Sequence, residues 1–178
     1  MKRLIMCEGA NELEIMRILL SFDCLVFGEN ELLGLTPYHA RQLSKNAMVR
    51  TELNMYPKND ILIMRIGDKQ NEKLKIPAEY RGKILGVEKY CTKPELEILL
   101  IIAEEMEHEY EKVKSRISPK EFAKKNITCG KYKYDNSSMF YKTYFADDCE
   151  KLISAIKEYK RTHKHLKDEL YSADILKF

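Results

Sequence analysis

The 178-residue sequence is poor in the residues that interrupt regular structure, with only 7 glycines and 5 prolines. It also lacks a long uncharged run, because its densest apolar stretch, Ile98–Ala103, ends at Glu104 and Glu105. A membrane-spanning helix needs about 18 apolar residues, and the N-terminal apolar run stops at Glu8, too early for a signal peptide. With 44% hydrophobic and 33% charged residues, these scarcities exclude collagen, low-complexity linkers and wholly disordered chains. We expect a soluble, cytoplasmic protein with no membrane partner.

The five cysteines are too scattered for a zinc finger or a dithiol redox motif. They lie at Cys7, Cys24, Cys91, Cys129 and Cys149, and no two of them form a C-x-x-C pair. Zinc fingers and redox pairs both need closely spaced sulfurs. We therefore expect reduced thiols that pack in the core.

Charge is distributed unevenly along the chain, although the net charge is only +3. Residues 1–111 contain 15 Lys and Arg against 19 Asp and Glu, a balance of −4, whereas residues 112–167 contain 15 against 6, a balance of +9. A basic segment of this kind can face an anionic polymer such as DNA or RNA, or can be a solvated helical face. The contrast predicts an α/β domain at 1–111 and a mostly helical basic extension at 112–178 packed on it.

Apolar runs bounded by polar residues predict four buried strands, at Lys2–Cys7, 24–28, 60–68 and 83–88. Nearly continuous apolar strands are typical of a parallel sheet that is covered on both faces. Capping patterns predict helices between and after the strands, at Asn11, at Thr36-Pro37 and at Thr92. The predicted fold class is therefore α/β, with a mostly parallel, Rossmann-like sheet flanked by helices.

The rear of the chain is predicted to be helical. Ser118-Pro119 begins a short helix and residues 147–161 make a longer one, whose apolar positions recur at helical spacing. A final helix is expected to run to Phe178.

Acidic residues follow the predicted strands at the points where the strands end. Glu8 follows the first strand, Asp68 ends the third, and Glu95 and Glu97 open the helix after the fourth. Ligands collect at the carboxyl ends of parallel strands, and carboxylate oxygens are what Mg²⁺ or Mn²⁺ prefers. We predict a metal site formed by these four residues, where the cation would polarise a phosphodiester.

The N-terminal segment reads Met1-Lys2-Arg3-Leu4-Ile5-Met6-Cys7-Glu8-Gly9-Ala10-Asn11-Glu12. It resembles the first motif of the Toprim (topoisomerase–primase) fold, an apolar strand that ends in Glu-Gly and is followed by a polar turn into a helix. Segment 93–101, Lys-Pro-Glu-Leu-Glu-Ile-Leu-Leu-Ile, is similar to the acidic helix start of RloB-like Toprim proteins. These proteins, like the OLD-type Toprim nucleases, occur in bacterial restriction and abortive-infection systems. The resemblance covers about residues 1–105.

The resemblance implies Mg²⁺-dependent phosphodiester cleavage in anti-phage defence or nucleic-acid metabolism, with Glu8 and Glu97 as the catalytic acids. The chain departs from the family at one place, because Toprim enzymes usually carry Asp-x-Asp where this chain has Asp68-Lys69-Gln70. A neutral Gln70 and a cationic Lys69 both weaken the binding of a dication. The alternative is a degenerate module that binds a partner protein, such as a defence ATPase, or nucleic acid, without cleaving it.

Most of the carboxylates also have a purely structural explanation. Glu95 lies three residues after Thr92 and could complete a helix capping box, and Asp68 could begin a turn. Glu12 lies in the first turn of a helix, where an acid complements the helix dipole. Glu8 has no such explanation, since it ends a buried strand against a glycine.

The basic stretch interleaves lysines with aromatic residues. Segment 131–134 reads Lys-Tyr-Lys-Tyr, and Phe140, Tyr141 and Tyr144 follow it. Single-stranded nucleic acid is held by such a combination, whereas an edge hairpin alternates Lys and Tyr simply because Tyr packs inward. The candidate nucleic-acid contacts are Lys124, Lys125, Lys131, Lys133, Lys160 and Arg161.

Overall fold

A computed structural model gives the fold, and it describes residues 1–68, 72–146 and 148–177. In these residues the strands are β1 (Lys2–Cys7), β2 (Tyr38–His39), β3 (Ile61–Gly67), β4 (Ile84–Cys91), β5 (Thr128–Cys129) and β6 (Tyr132–Lys133). The helices are α1 (Ala10–Ser21), α2 (Ala47–Met55), α3 (Ile98–Ala103), α4 (Glu107–Glu111), α5 (Pro119–Asn126), α6 (Ser138–Phe145) and α7 (Cys149–Thr162). Short 3₁₀ turns connect them, the last at Ser172–Ile175. Among the described residues, no helix is long and apolar enough to cross a membrane.

The main sheet is parallel throughout, in the order β2-β1-β3-β4. Its central strands pair in register from Lys2 opposite Ile61 to Cys7 opposite Ile66. The predicted α/β class with a parallel sheet is therefore confirmed. From β1 the chain crosses first to one neighbour, β2, and then back to the other, β3. This reversal opens a crevice at the carboxyl ends of β1 and β3.

The central strands β1 and β3 are buried on both faces, since their alternating side chains point into two different cores. In β1, Ile5 and Cys7 pack with α1 in the larger core, and Leu4 and Met6 pack with α2 in the smaller core on the opposite face. Both cores need long apolar strands, which explains why β1 and β3 could be predicted from nearly continuous apolar runs.

The rear half of the chain shares the larger core with the front half. Tyr141 of α6 and Ile156 of α7 belong to the same buried cluster as the side chains of α1 and α3. The C-terminal segment also pairs with the front, since Tyr90 of β4 forms a parallel bridge with Leu170 and Leu25 an antiparallel bridge with Leu176. Residues 1–111 and 112–178 are thus joined by one continuous apolar interior.

Two predictions in the region between β1 and β3 are wrong. Residues 24–28 form no strand of the sheet. Leu25 is buried, but its backbone pairs with the C-terminal segment through an isolated bridge. The second strand is Tyr38–His39, inside the helix that Thr36-Pro37 was expected to open. A residue before proline favours extended backbone, and Thr36 adopts φ −152° and ψ 154°. The helix begins only at Ala47, where the Asn46 side chain accepts a hydrogen bond from the Val49 N–H at 3.0 Å.

Helix starts elsewhere match the sequence in part. Helix α1 is capped by Gly9 and not by Asn11, and α3 begins at Ile98, well after Thr92. Thr92 extends the sheet instead, donating its backbone N–H to the Gly67 carbonyl at 3.1 Å. The predicted helix start at Ser118-Pro119 is confirmed, and Ser118 and Glu121 form a capping box at the N-terminus of α5.

The other elements predicted for the rear of the chain are also confirmed only in part. Helix α7 is confirmed with Asp148 as its N-cap, although position 147 lies outside the described residues. The expected final helix is wrong, since the described residues after α7, up to position 177, form the 3₁₀ turn Ser172–Ile175 and no α-helix. The expected hairpin exists as β5 and β6, but Phe140, Tyr141 and Tyr144 lie on α6 and not on a strand.

Candidate functional site

The carboxyl ends of β1 and β3 open into a cavity of about 300 Å³ whose lining is mostly charged. We call it the acidic pocket, after the carboxylates that line it: Glu8, Glu12, Asp68, Glu95 and Glu97. Two cationic side chains, Arg41 and Lys120, share the lining. All four acids predicted from the sequence therefore line one pocket at the predicted edge of the sheet, together with a fifth, Glu12.

Glu8 is held where β1 leaves the sheet. Its backbone N–H donates to the Ile66 carbonyl at 2.8 Å, which continues the β1–β3 ladder by one residue. On the other side, Arg41 Nε donates to the Glu8 carbonyl at 3.1 Å, and Arg41 Nη2 lies 3.8 Å from Glu8 Oε1. Backbone pairing thus fixes the position of Glu8, and Arg41 is close enough to attract its carboxylate.

Glu12 is the functional candidate that sequence reasoning missed. It lies in the first turn of α1, and its carboxylate folds back over Gly9, where an added Cβ would come within 2.6 Å of Glu12 Oε2. Burial, followed by the charges of Asp68, Glu8 and Glu97, raises the pKa of Glu12 from 4.5 to about 7. The signal lay in the spacing Glu8-Gly9-x-x-Glu12: Gly9 caps α1 directly after Glu8, and Glu12 lies in the first turn of that helix.

Glu97 is the most deeply buried acid of the pocket, with 3% of its surface exposed. Its Oε1 accepts a hydrogen bond from the Tyr134 hydroxyl at 2.6 Å, and Lys120 Nζ lies 3.9 Å from the same oxygen. The Tyr134 oxygen is also 3.3 Å from that of Tyr141. Burial and the bond to Glu97 raise the pKa of Tyr134 well above its usual range, so Tyr134 remains a hydrogen-bond donor.

Glu95 supports a different helix from the one expected. Its Oε2 accepts a hydrogen bond from the backbone N–H of Lys120 at 3.0 Å, in the first turn of α5. A carboxylate at a helix N-terminus satisfies a free N–H and complements the helix dipole. Glu95 therefore ties the front of the chain to α5, and the expected capping box with Thr92 is wrong.

Asp68 directly follows β3, and the next residue that the structure describes is Glu72. Asp68 lines the acidic pocket beside Glu8 and Glu12. Lys69 and Gln70, where the chain departs from the Toprim Asp-x-Asp pattern, lie outside the described residues. Among the described His, Cys, Asp and Glu side chains, no group of three could hold a metal ion. Any cation in the pocket would thus depend on one or two carboxylates and on oxygens from elsewhere.

Three cationic side chains lie near the carboxylates of the pocket: Arg41 and Lys120 in its lining, and Arg65 of β3. Arg65 of β3 is 6% exposed, and its Nη1 donates to the Glu72 carbonyl at 2.8 Å. Burial lowers the pKa of Arg65, while the charge of Glu8 raises it. With Arg41 and Lys120 at the rim, the pocket carries positive groups next to its acids, which suits a ligand of mixed charge such as a phosphate with its cation.

The predicted nucleic-acid contacts fall into two groups. Lys124 and Lys125 on α5 and Lys131 and Lys133 on the hairpin are exposed, on the segment that follows Lys120 along the chain. Lys160 and Arg161 lie instead near the C-terminal end of α7, where they pair with Asp174 and Glu158. These assignments to nucleic acid remain predictions.

The cysteines carry no disulfide and follow the sequence expectation in most positions. Four of the five are buried, and Cys129 is half-buried. Cys24 and Cys149 lie together, with their sulfurs 3.1 Å apart.

Comparison of the chain with protein-family models, with curated proteins and with solved structures finds no match. The resemblance to Toprim and RloB-like proteins therefore stays a prediction from the sequence motifs. Function has to be argued from the pocket itself.

Proposed function

We propose that the acidic pocket binds Mg²⁺ or Mn²⁺ and cleaves a phosphodiester bond of nucleic acid. One observation carries this proposal: Glu8, Glu12, Asp68 and Glu97, which come from three separate segments of the chain, line one crevice between β1 and β3. Carboxylates gathered at such a crevice repel one another unless a cation joins them. The Toprim resemblance implies the same function, in bacterial defence or nucleic-acid metabolism.

The donor set fits a hard cation, although it offers no preassembled group of three ligands among the described residues. Magnesium ions are commonly held by one or two carboxylates, with the remaining positions taken by water and substrate phosphate oxygens. Glu8 and Asp68, at the ends of neighbouring strands, would hold the ion, with Glu12 next to them. The bound cation would supply charge stabilisation to the phosphodiester.

The chain's own residues divide the remaining work. Arg41 and Lys120 stand 3.8 and 3.9 Å from Glu8 and Glu97, so a phosphate oxygen could attract either cation at little cost. The Tyr134 hydroxyl holds Glu97 at the inner wall of the pocket. Glu97 is thereby oriented as an acid that can accept or release a proton at the reacting oxygen.

Metal binding can be tested by thermal unfolding. Titration of the wild type with Mg²⁺ or Mn²⁺ should raise Tm by roughly 7 °C at a hundredfold excess over Kd, since a ligand of the folded state alone contributes about 2.7 kcal/mol. Glu8→Gln should lose most of this increase. Glu14→Gln is the matched control, because Glu14 lies on the same helix as Glu12, pairs with Arg17 and is not part of the pocket lining.

Cleavage is tested on labelled oligonucleotides with the same variants. Glu8→Gln should cut at least about a hundredfold more slowly than the wild type, as expected for the loss of a catalytic acid or metal ligand. Absence of both metal stabilisation and cleavage in the wild type would overturn the proposal.

A second candidate is a module that binds a partner protein, such as a defence ATPase, without catalysis. The cations Arg41 and Lys120 next to Glu8 and Glu97 favour it, because they already neutralise part of the pocket. A wild type that neither binds metal nor cleaves, yet associates with an ATPase from the same source, would support this alternative.

A further inference from the structure

A second concave surface lies beside the acidic pocket, between the β5–β6 hairpin and the first turns of α6. This cavity of about 650 Å³ is the hairpin groove, and its principal lining residues are Lys131, Tyr132, Lys133, Asp135, Met139 and Phe140. Tyr132 is 72% exposed and Met139 is 64% exposed. Large apolar side chains that stay in water next to a groove indicate a binding surface more often than a packing need.

Packing does not account for Tyr132. Two residues along, Tyr134 fills the core with 2% exposure, so the structural role expected of a hairpin tyrosine is met there. Lys131 and Lys133 flank Tyr132, are exposed, and form no salt bridge with a described carboxylate. The groove therefore offers an open aromatic ring between two available cations.

Among the described residues that line the groove, Asp135 is the one acid, and it is itself engaged. Asp135 accepts a hydrogen bond from the Ser137 N–H at 3.0 Å. Its pKa is lowered first by the Ser137 side chain and then by this backbone bond, with the charge of Lys124 among the smaller contributions. Asp135 thus serves the turn into α6, and the surrounding lysines outweigh its charge.

The hairpin groove and the acidic pocket meet at one short segment. Asn136 lines the pocket and is tied to Asn11 by a hydrogen bond of 3.2 Å, whereas its neighbours Asp135 and Ser137 line the groove. Helix α5 runs along the same border, with Lys120 in the pocket lining and Lys124 one turn further on. A chain of phosphates could pass from one surface to the other past these lysines.

We propose that the hairpin groove binds single-stranded nucleic acid, with a base stacked on Tyr132 and phosphates at Lys131 and Lys133, and leads the strand into the acidic pocket. Stacking on an exposed ring needs an unpaired base, which excludes a duplex at this point. The binding half of this inference stands on the groove alone, and the delivery half rests on the proposed function.

Binding is measured by fluorescence anisotropy with labelled 12-mers of dT and of U, in EDTA, so that neither metal nor cleavage contributes. Tyr132→Ala should weaken binding roughly tenfold, because one base stacked on an aromatic ring is worth about 1–3 kcal/mol. Tyr132→Phe should retain binding, since the ring and not the hydroxyl makes the contact. The dT and U probes distinguish DNA from RNA as the bound strand.

Phe22→Ala is the matched control for loss of an exposed aromatic ring. Phe22 is 47% exposed and follows the C-terminal end of α1, whereas the pocket lies at the N-terminal end of that helix. It should bind like the wild type. Equal affinity of Tyr132→Ala and the wild type, or no wild-type binding at low salt, would overturn the groove.

Salt dependence tests the two lysines separately from the ring. The double variant Lys131→Ala, Lys133→Ala should reduce the slope of log K against log salt by about 1.4, given roughly 0.7 per phosphate of a single strand. Lys58→Ala, before β3 at the opposite edge of the sheet, is the control with an unchanged slope. An unchanged slope in the double variant would refute the assigned phosphate contacts.

Failure of this inference and failure of the proposed function give different results. If Tyr132→Ala loses affinity in EDTA but the wild type never cleaves with Mg²⁺ or Mn²⁺, strand binding by the groove is supported and the proposed nuclease activity is refuted. If the wild type cleaves oligonucleotides and Tyr132→Ala binds and cleaves them equally well, the nuclease activity is supported and strand binding by the groove is refuted.

Discussion

Tyr132 and Tyr134 stand two residues apart on one hairpin, but Tyr132 lines the hairpin groove and Tyr134 supports Glu97 of the acidic pocket from the core. Tyr134 is 2% exposed and donates its hydroxyl proton to Glu97, whereas Tyr132 is 72% exposed and leaves its ring in water. The same contrast separates the acidic pocket from the hairpin groove. Carboxylates in the pocket are held by the sheet and by partners distant in the chain, while the groove presents side chains that the fold leaves available.

The two surfaces should therefore respond differently to mutation. Changes in the pocket are expected to alter folding as well as chemistry, because they remove partners of buried charges. Changes in the groove are expected to alter binding alone, since exposed side chains contribute little to stability.

The largest difference in stability is expected between the two tyrosines. Tyr134→Phe leaves the buried Glu97 carboxylate without its 2.6 Å hydrogen bond and should lower the free energy of unfolding by about 1.5–3 kcal/mol. Tyr132→Phe should change it by less than about 0.5 kcal/mol. Urea denaturation at pH 7 measures both, and equal stabilities would contradict the contrast.

Glu12 should make the free energy of unfolding depend on pH. Its pKa is about 7 in the folded protein against an ordinary 4.5, so the folded state binds a proton that the unfolded state releases. Its contribution to stability is therefore largest below about pH 4.5, falls as pH rises towards 7, and stays low above that. In EDTA the fall attributable to this group should be about 3 kcal/mol, since a difference of one in pKa is worth about 1.4 kcal/mol.

Glu12→Gln should remove that fall, so that the variant is more stable than the wild type at pH 8 and less different from it at pH 5. Urea unfolding at the two pH values measures the change. Glu14→Gln should keep the wild-type profile because Glu14 is not part of the pocket lining. A Glu12→Gln profile parallel to that of the wild type would show that Glu12 titrates normally.

Gly9→Ala should change the free energy of unfolding by less than about 1 kcal/mol. The Gly9 backbone, at φ −133° and ψ 172°, suits any residue, and only the movable Glu12 carboxylate stands in the way of a Cβ, at 2.6 Å. Displacing that carboxylate should reduce the Tm increase caused by Mg²⁺. Gly28→Ala is the control, since Gly28 also caps a helical turn and has nothing within 4 Å of its added Cβ. If Gly9→Ala and Gly28→Ala show the same Tm increase with Mg²⁺, a Cβ at Gly9 does not disturb metal binding in the pocket.

Local sequence patterns were sufficient to predict the two strands that position the acidic pocket and the acids that follow them. Strands β1 and β3 are long apolar runs, and Glu8 and Asp68 follow them directly, so parallel pairing alone brings both acids to one edge. Strand β2 was missed because it has only two residues, too few for a periodic pattern. The late start of α3 was missed because Thr92 joins the sheet ladder through Gly67, a partner distant in the chain.

Amino-acid order alone was enough for a parallel sheet with acids beyond its strands, since hydrophobic periodicity is a local property that needs no knowledge of the neighbours. Only the folded chain turned Glu12 into the pocket, tied Glu95 to α5 and brought Tyr134 to Glu97 across 37 residues. The contacts of Glu95 and Glu97 follow from how α5 and the hairpin pack into the larger core, and that packing depends on shape and burial summed over the whole core.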